Sequence, residues 1–209
     1  MNELAFVHRF EPGHDPTARP LLLLHGTGGD ENDLIPLGRM VAPGAPLLSP
    51  RGKAVENGMP RFFRRLAEGV FDEADVRARA NELADFVAAA RETYRLGAPV
   101  ALGYSNGANI AAAVMLLRPE TLADAILLRA MVPLATPDTA RGLAGKSALI
   151  VSGAHDPIAP PANAARLKAL LEAAGARVDH RTLPAGHELS QADVTLAQSW
   201  VSRPVDAAL

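Results

Sequence analysis

Between Pro99 and Pro119 the chain reads PVALGYSNGANIAAAVMLLRP, an apolar run of strand length, a serine with glycine two residues away on each side, and an alanine-rich run of helix length. A strand that is apolar throughout, with no alternation, is buried on both faces. Parallel strands buried in this way are joined by crossover helices, so this one stretch already points to layers of helix on both faces of a parallel sheet. The rest of the chain repeats the theme. LLLLHG, APLLSP, ADAILLRAMVP, KSALIVSG and ARVDHRTL read as further strands, and residues 4–10 read as an edge or early strand. Helices are predicted over residues 32–40, 72–95, 161–174 and 190–200. In the longest of these, Val76, Leu83, Phe86, Val87 and Tyr94 draw an apolar stripe. Gly175 suits the C-terminal cap of the helix before it. Residues 51–70 have no clean period and read as a long irregular connection with a helical piece.

With 209 residues, 48% of them apolar, one domain spanning residues 1–209 is expected. A formal charge of −2 with 21% charged residues gives no basic surface for nucleic acid. The chain has no cysteine, which removes disulfides, thiol nucleophiles and thiolate metal sites from consideration. The opening MNELAFVHRFEPG carries charge early and has no apolar core of a leader peptide, and no later run approaches membrane-spanning length. A cytoplasmic protein without stable membrane insertion is the expectation.

Gly103-Tyr104-Ser105-Asn106-Gly107 fits G-x-S-x-G in its demanding context, strand before and helix after. Such a turn presents a serine hydroxyl at a strand end on strained backbone, which explains why an apolar run is interrupted there. A hydroxyl is a weak nucleophile until an imidazole takes its proton, and the imidazole needs a carboxylate to fix its tautomer. Asp156 follows one later strand and His187 follows the next, giving the chain order serine, aspartate, histidine. Asp179 lies within a strand segment, Asp193 belongs to the last helix, and His155 directly precedes Asp156, so each is a poorer candidate.

Acyl transfer also needs two backbone N–H donors for the developing oxyanion. Asn106, at the helix start, would supply one. Thr27, in the glycine-rich loop HGTGGD after LLLLHG, would supply the other. That loop lacks both a Walker lysine and the G-x-G-x-x-G spacing, which argues against phosphate or dinucleotide binding. No metal or organic cofactor is required by this chemistry.

The motifs LHGTGGDE, GYSNGAN, SGAHDPIAP and PAGHELS together resemble the phospholipase/carboxylesterase family of small α/β hydrolases, and SPRGKAVENGMPRFFRR is most similar to its branch associated with hydroquinone-type compounds. The resemblance implies an α/β-hydrolase fold: a mostly parallel sheet of about seven strands flanked by helices, with no large cap domain. It implies a serine esterase acting on carboxylic esters, with aryl esters as the narrower expectation, and a homodimer. It assigns Ser105, Asp156 and His187 as the triad and Thr27 and Asn106 as oxyanion donors, the same residues that the chemistry selects. Thioesterase and lysophospholipase are the alternatives, because the same machinery cleaves those acyl bonds. Acyl-protein thioesterase relatives commonly carry glutamine after the nucleophile, and Asn106 departs from that pattern. A non-catalytic binding protein on the same fold is a further alternative.

A neutral imidazole is needed to accept the serine proton, so activity is expected to rise with pH through roughly 6 to 7. Met59, Phe62 and Phe63 in the irregular connection, and Met131, Val132 and Ile158 after strand ends, are the substrate-pocket candidates, with core anchoring as the competing role for the two phenylalanines. Arg129, after the apolar AILL, reads as half of a structural ion pair or as a reader of a substrate carboxylate. His25 reads as a structural hydrogen-bonding residue beside the oxyanion loop.

Overall fold

The computed structural model describes residues 4–135 and 142–203. In chain order the elements are β1 (His8–Glu11), β2 (Leu21–Leu24), α1 (Ile35–Val41), β3 (Leu47–Pro50), β4 (Ala54–Glu56), β5 (Met59–Arg61), β6 (Arg65–Ala67) and β7 (Val70–Phe71). They continue as α2 (Glu73–Tyr94), β8 (Val100–Tyr104), α3 (Asn106–Leu117), β9 (Asp124–Leu128), β10 (Ser147–Gly153), α4 (Pro161–Ala173), β11 (Arg177–Leu183) and α5 (Gln191–Val201). Seven strands form one sheet in the order β1-β3-β2-β8-β9-β10-β11. β1 runs antiparallel to β3 at one edge, and every other pairing in this sheet is parallel.

The period of two in a strand splits LLLL between two cores. Leu22 and Leu24 pack in the layer that holds α2, α3 and α4, whereas Leu21 and Leu23 pack with residues of α1 and α5. All four are fully buried, each contributing about 1.5–3 kcal/mol relative to exposure. A strand apolar on both faces is therefore what this position demands.

The helix ends follow local chemistry. Asp72 caps α2 by accepting the Asp75 N–H at 3.1 Å, and Arg95 closes it in the left-handed region at φ 57°. Ser190 and Asp193 form a reciprocal capping box at the start of α5. Gly175 follows α4 at φ 103°, as a C-terminal cap requires. Pro36 sits within the first turn of α1, where its missing N–H costs no helical bond.

The helical piece expected within residues 51–70 is absent. That segment instead folds as two small antiparallel hairpins, β4 with β5 and β6 with β7. Asn57 and Gly58 both take positive φ, 51° and 80°, the geometry of a two-residue hairpin turn for which Asn-Gly is the strongest short-range signal. The first hairpin is tied to the loop after β2 by the Gly28 N–H donating to the Pro60 carbonyl at 2.9 Å, and both hairpins contribute residues to the cavity at the ends of β2 and β8. Residues 129–146, between β9 and β10, are too few for a cap domain, and residues 136–141 of that connection lie outside the described residues. No described helix is long and apolar enough to cross a membrane.

Candidate active site

Four parallel strands deliver the site. Thr27 lies beyond the end of β2, Ser105 directly after β8, Asp156 beyond β10 and His187 beyond β11. Because the strands are parallel, all four residues gather beyond the carboxyl ends of the strands, on one side of the sheet.

Ser105 takes φ 51° and ψ −113°, a conformation that side chains rarely adopt. Its N–H donates to the Leu128 carbonyl at 2.8 Å and its carbonyl accepts the Asn109 N–H at 3.0 Å, so strand and helix fix the turn from both sides. The flanking glycines are required by packing. A Cβ on Gly103 would come within 2.6 Å of the Gly107 carbonyl oxygen, and a Cβ on Gly107 would strike the Leu24 carbonyl of the neighbouring strand. The motif's spacing thus reflects α3 lying tightly over β8 and β2.

His187 Nε2 lies 3.0 Å from Ser105 Oγ, and His187 Nδ1 lies 2.8 Å from Asp156 Oδ2. The carboxylate selects the tautomer with hydrogen on Nδ1, leaving Nε2 to accept from the serine hydroxyl. The other Asp156 oxygen accepts the N–H groups of Ile158 and Ala159 at 2.8 and 2.9 Å. With its side chain fully buried and both oxygens engaged, the carboxylate has one orientation. The His187 loop is held as well. Tyr104 Oη donates to the His187 carbonyl at 3.2 Å, and Arg129 donates to the Gly186 carbonyl at 2.9 Å and the Glu188 carbonyl at 3.0 Å.

Asn106 is the first residue of α3, where backbone N–H groups have no partner within the helix. Its side-chain Oδ1 accepts the Phe62 N–H at 2.7 Å, which ties the connection after β5 to the Ser105 turn. Thr27 Oγ1 accepts from Arg61 Nη1 at 2.6 Å. Thr27, Ser105, Asn106 and His187 line one cavity of about 300 Å³. Beside it, His25 Nδ1 donates to the Gly26 carbonyl at 2.6 Å while Nε2 accepts the Gly52 N–H at 2.9 Å. Burial lowers the His25 pKa from its ordinary value, keeping the ring neutral in this structural role.

Of the pocket candidates, Met131 and Ile158 line the cavity. Phe62 and Phe63 do not: both are buried in the core, Phe62 against His25 and Phe63 edge-on to Phe71. Met59 sits outside the cavity with its sulfur over Gly28, and Val132 packs against the core while its N–H donates to Asn163 Oδ1 at 2.7 Å. Phe62 and Phe63 follow the end of β5, where the chain bends and both side chains enter the core, while Arg61, the last residue of the strand, lines the cavity. The sequence reading missed Arg61, Arg65, Phe71 and Tyr104, all of which line the cavity.

The competing acids are paired elsewhere, and the competing histidine lies on the surface. Asp179 pairs with Arg181 and Arg203, Asp193 pairs with Arg129, and His155 is exposed. Arg129 is thereby an ion-pair partner, with its side chain and that of Asp193 wholly buried. Among the described residues no cluster of histidine, aspartate and glutamate is arranged to hold a metal ion.

Residues 7–203 match the family model described as Phospholipase/Carboxylesterase. The chain is 42% identical over 203 residues to the putative hydrolase MhqD of Bacillus subtilis (strain 168), an alignment covering 95% of this chain and 98% of that protein. The crystal structure of the Bacillus cereus carboxylesterase superposes with a TM-score of 0.91 at 46% identity, covering 94% of this chain and 93% of the other. A carboxylesterase from Mesorhizobium loti gives a TM-score of 0.91 at 34% identity, covering 98% of both chains. The family model and the solved structures agree over nearly the whole chain with an esterase-type hydrolase on an α/β-hydrolase-like fold. The chain belongs to the phospholipase/carboxylesterase family.

Proposed function

We propose that the protein is a serine carboxylesterase that hydrolyses small carboxylic esters, aryl esters among them, through Ser105, His187 and Asp156. The observation that carries this reading is the unbroken hydrogen-bonded chain from Ser105 Oγ through both His187 nitrogens to Asp156.

In the first half-reaction His187 Nε2 takes the Ser105 proton as Oγ bonds to the ester carbonyl carbon. The C=O electron pair moves to oxygen, and that oxyanion accepts from the Thr27 and Asn106 backbone N–H groups. Collapse expels the alcohol, which receives the proton from His187, and leaves an acyl-serine. Water then attacks the acyl carbon, giving its proton to His187. The second collapse releases the carboxylic acid and returns the proton to Ser105 Oγ. Asp156 holds the ring and stabilises the imidazolium without itself taking the proton. Every group in this cycle belongs to the protein or to substrate and water.

A single domain spanning residues 1–209, assembled as a cytoplasmic homodimer, completes the proposal, and light scattering of the purified protein tests the assembly. The activity is tested with a p-nitrophenyl ester of a short acid near pH 7.5, using wild type and Ser105→Ala. The reading requires turnover in the wild type and its loss in a variant with unchanged circular dichroism. Equal rates in the two proteins would remove Ser105 from the nucleophile's role.

A further inference from the structure

Three arginines stand in the run RFFRR that crosses the site, and one of them is placed unlike the others. Arg61 is 3% exposed, yet it lines the same cavity as Ser105 and His187. A guanidinium carries five N–H donors and cannot be discharged, so burial without full pairing leaves donors seeking an acceptor. Arg61 Nε donates to the Phe63 carbonyl at 3.2 Å and Nη1 to Thr27 Oγ1 at 2.6 Å. Its Nη2 makes no hydrogen bond to any described residue.

The nearest carboxylate does not neutralise it alone. Glu56 stands 3.4 Å from Arg61 Nε, beyond direct hydrogen-bond geometry, and is engaged more closely by Arg65 at 2.8 and 2.9 Å. Glu68, the acid that lines the cavity among the described residues, is exposed at the rim and already paired with Arg65 at 3.2 Å. Two cations therefore share one inner carboxylate. The titration tendencies agree: Arg65 is raised by its bond to Glu56, whereas burial lowers Arg61 despite the same carboxylate.

A donor that is itself buried and without a partner belongs to a residue of the same cavity wall. Asn106 is 2% exposed, and the Phe62 N–H on its Oδ1 fixes which end of the amide is which. The opposite end, Nδ2, is buried with no partner. Buried donors without acceptors are rare in folded proteins and call for an account of what they meet.

We infer that the site takes esters bearing a second, anionic group, a carboxylate, and that Arg61 is the residue that reads it. The inference deepens the esterase reading and rests on it. A carboxylate offers the planar pair of acceptors that a guanidinium edge fits, and it supplies the negative charge that Glu56 divides between two arginines. Half-esters of short dicarboxylic acids have this chemistry, and a cavity of about 300 Å³ is the size of a small-molecule site.

The test compares p-nitrophenyl hydrogen glutarate with p-nitrophenyl pentanoate, two esters matched in length and leaving group, and reads the ratio of their kcat/KM values. Wild type should favour the anionic ester by about tenfold or more, the scale of one charge-assisted hydrogen-bonded pair. Arg61→Gln should bring that ratio down by a similar factor. Because the ratio cancels any loss common to both esters, a disturbance of the Thr27 loop in the variant does not imitate the effect. Raised salt should lower the wild-type ratio without any substitution. A wild-type ratio at or below one, or a ratio unchanged in Arg61→Gln, would overturn the inference. Calorimetry of monoethyl glutarate and diethyl glutarate with Ser105→Ala reads the same preference with no turnover. If Ser105→Ala still hydrolyses esters but binds the half-ester selectively, the nucleophile assignment fails and the anion site stands. Hydrolysis lost with equal binding of both ligands keeps the nucleophile and removes the anion site.

Discussion

Arg129 and Asp193 form a bidentate ion pair with both side chains wholly buried, Nη1 to Oδ1 at 2.7 Å and Nη2 to Oδ2 at 3.0 Å, and the same guanidinium holds the carbonyls of Gly186 and Glu188 on either side of His187. Asp193 in turn accepts from the Ser190 N–H and hydroxyl at 2.8 Å, so one carboxylate caps α5 and anchors the arginine. The pair sets the height of the His187 loop over the sheet.

Arg129→Met is accordingly expected to destabilise the protein by about 3–5 kcal/mol, because it strands a buried carboxylate and removes the donors to two carbonyls. Replacing both partners, Arg129→Met with Asp193→Leu, should cost less than either single change, since no charge is then left alone. Urea unfolding of the four proteins reads this. Turnover by the double variant should stay below wild type even where the protein is fully folded, because the Gly186 and Glu188 carbonyls lack their donor. Full activity in the folded double variant would reduce the pair to a purely structural role.

Asp156→Asn should leave stability nearly intact while lowering kcat by roughly 10³–10⁴-fold, the loss seen when a triad imidazole is held in the wrong tautomer. An asparagine keeps an acceptor for Ile158 and Ala159 N–H, so the loop geometry survives. Steady-state kinetics beside a thermal melt separates the two effects. A kcat within tenfold of wild type would point to another residue orienting His187.

The legible part of this protein is the part carried by short-range chemistry. The two-sided burial of LLLL, the strand-serine-helix turn at Ser105 and the order Ser105, Asp156, His187 all follow from local patterns that parallel topology then brings together. Arg61 is not legible in RFFRR, because the run spans the end of β5, a bend and the start of β6, so no single period separates cavity-lining from core positions. The Asn57-Gly58 turn carries a local signal, yet a hairpin of three-residue strands leaves almost no period around it to detect. For Arg129, an apolar strand signals burial and hence a partner. Which acid answers depends on a contact across 64 positions, beyond any local signal.

Stability should fall on mild acidification partly through His25. Its folded pKa is depressed by burial from the ordinary 6.5, with the hydrogen bond to the Gly26 carbonyl and the charges of Asp33, Asp30 and Glu31 opposing that shift. The unfolded chain therefore takes up the proton first. The stabilisation from keeping His25 neutral is complete above pH 6.5 and is lost as pH falls from there toward the folded value, at up to about 1.4 kcal/mol per pH unit. His180 is also lowered by burial and contributes in the same direction. Urea midpoints at pH 7.5 and 5.5 for wild type and His25→Gln isolate the first residue, because the His180 contribution is common to both. The wild type should lose more on acidification; parallel losses would remove His25 from the account.

Gly107→Ala probes how closely the Ser105 turn is packed. The added methyl carbon would be driven into the Leu24 carbonyl, a backbone atom of β2 that is fixed by parallel pairing with β8 on one side and β3 on the other. No side-chain rotation relieves that contact, so α3 must lift from the sheet and carry Ser105 and the Asn106 N–H with it. Overpacking of this kind costs on the order of 1–3 kcal/mol, and displacement of a reacting atom by about 1 Å costs roughly a hundredfold in rate. Gly58→Ala is the contrasting change: it too adds a methyl group, and the glycine it replaces has positive φ, but nothing lies within 4 Å of the new carbon and Gly58 does not line the cavity that holds Ser105. Gly58→Ala should therefore lose stability through backbone strain with little change in kcat, whereas Gly107→Ala should lose kcat by about a hundredfold at a comparable loss of stability. Equal kcat in the two folded variants would mean that the turn tolerates lifting, and that Ser105 is not held by the packing of α3 against β2.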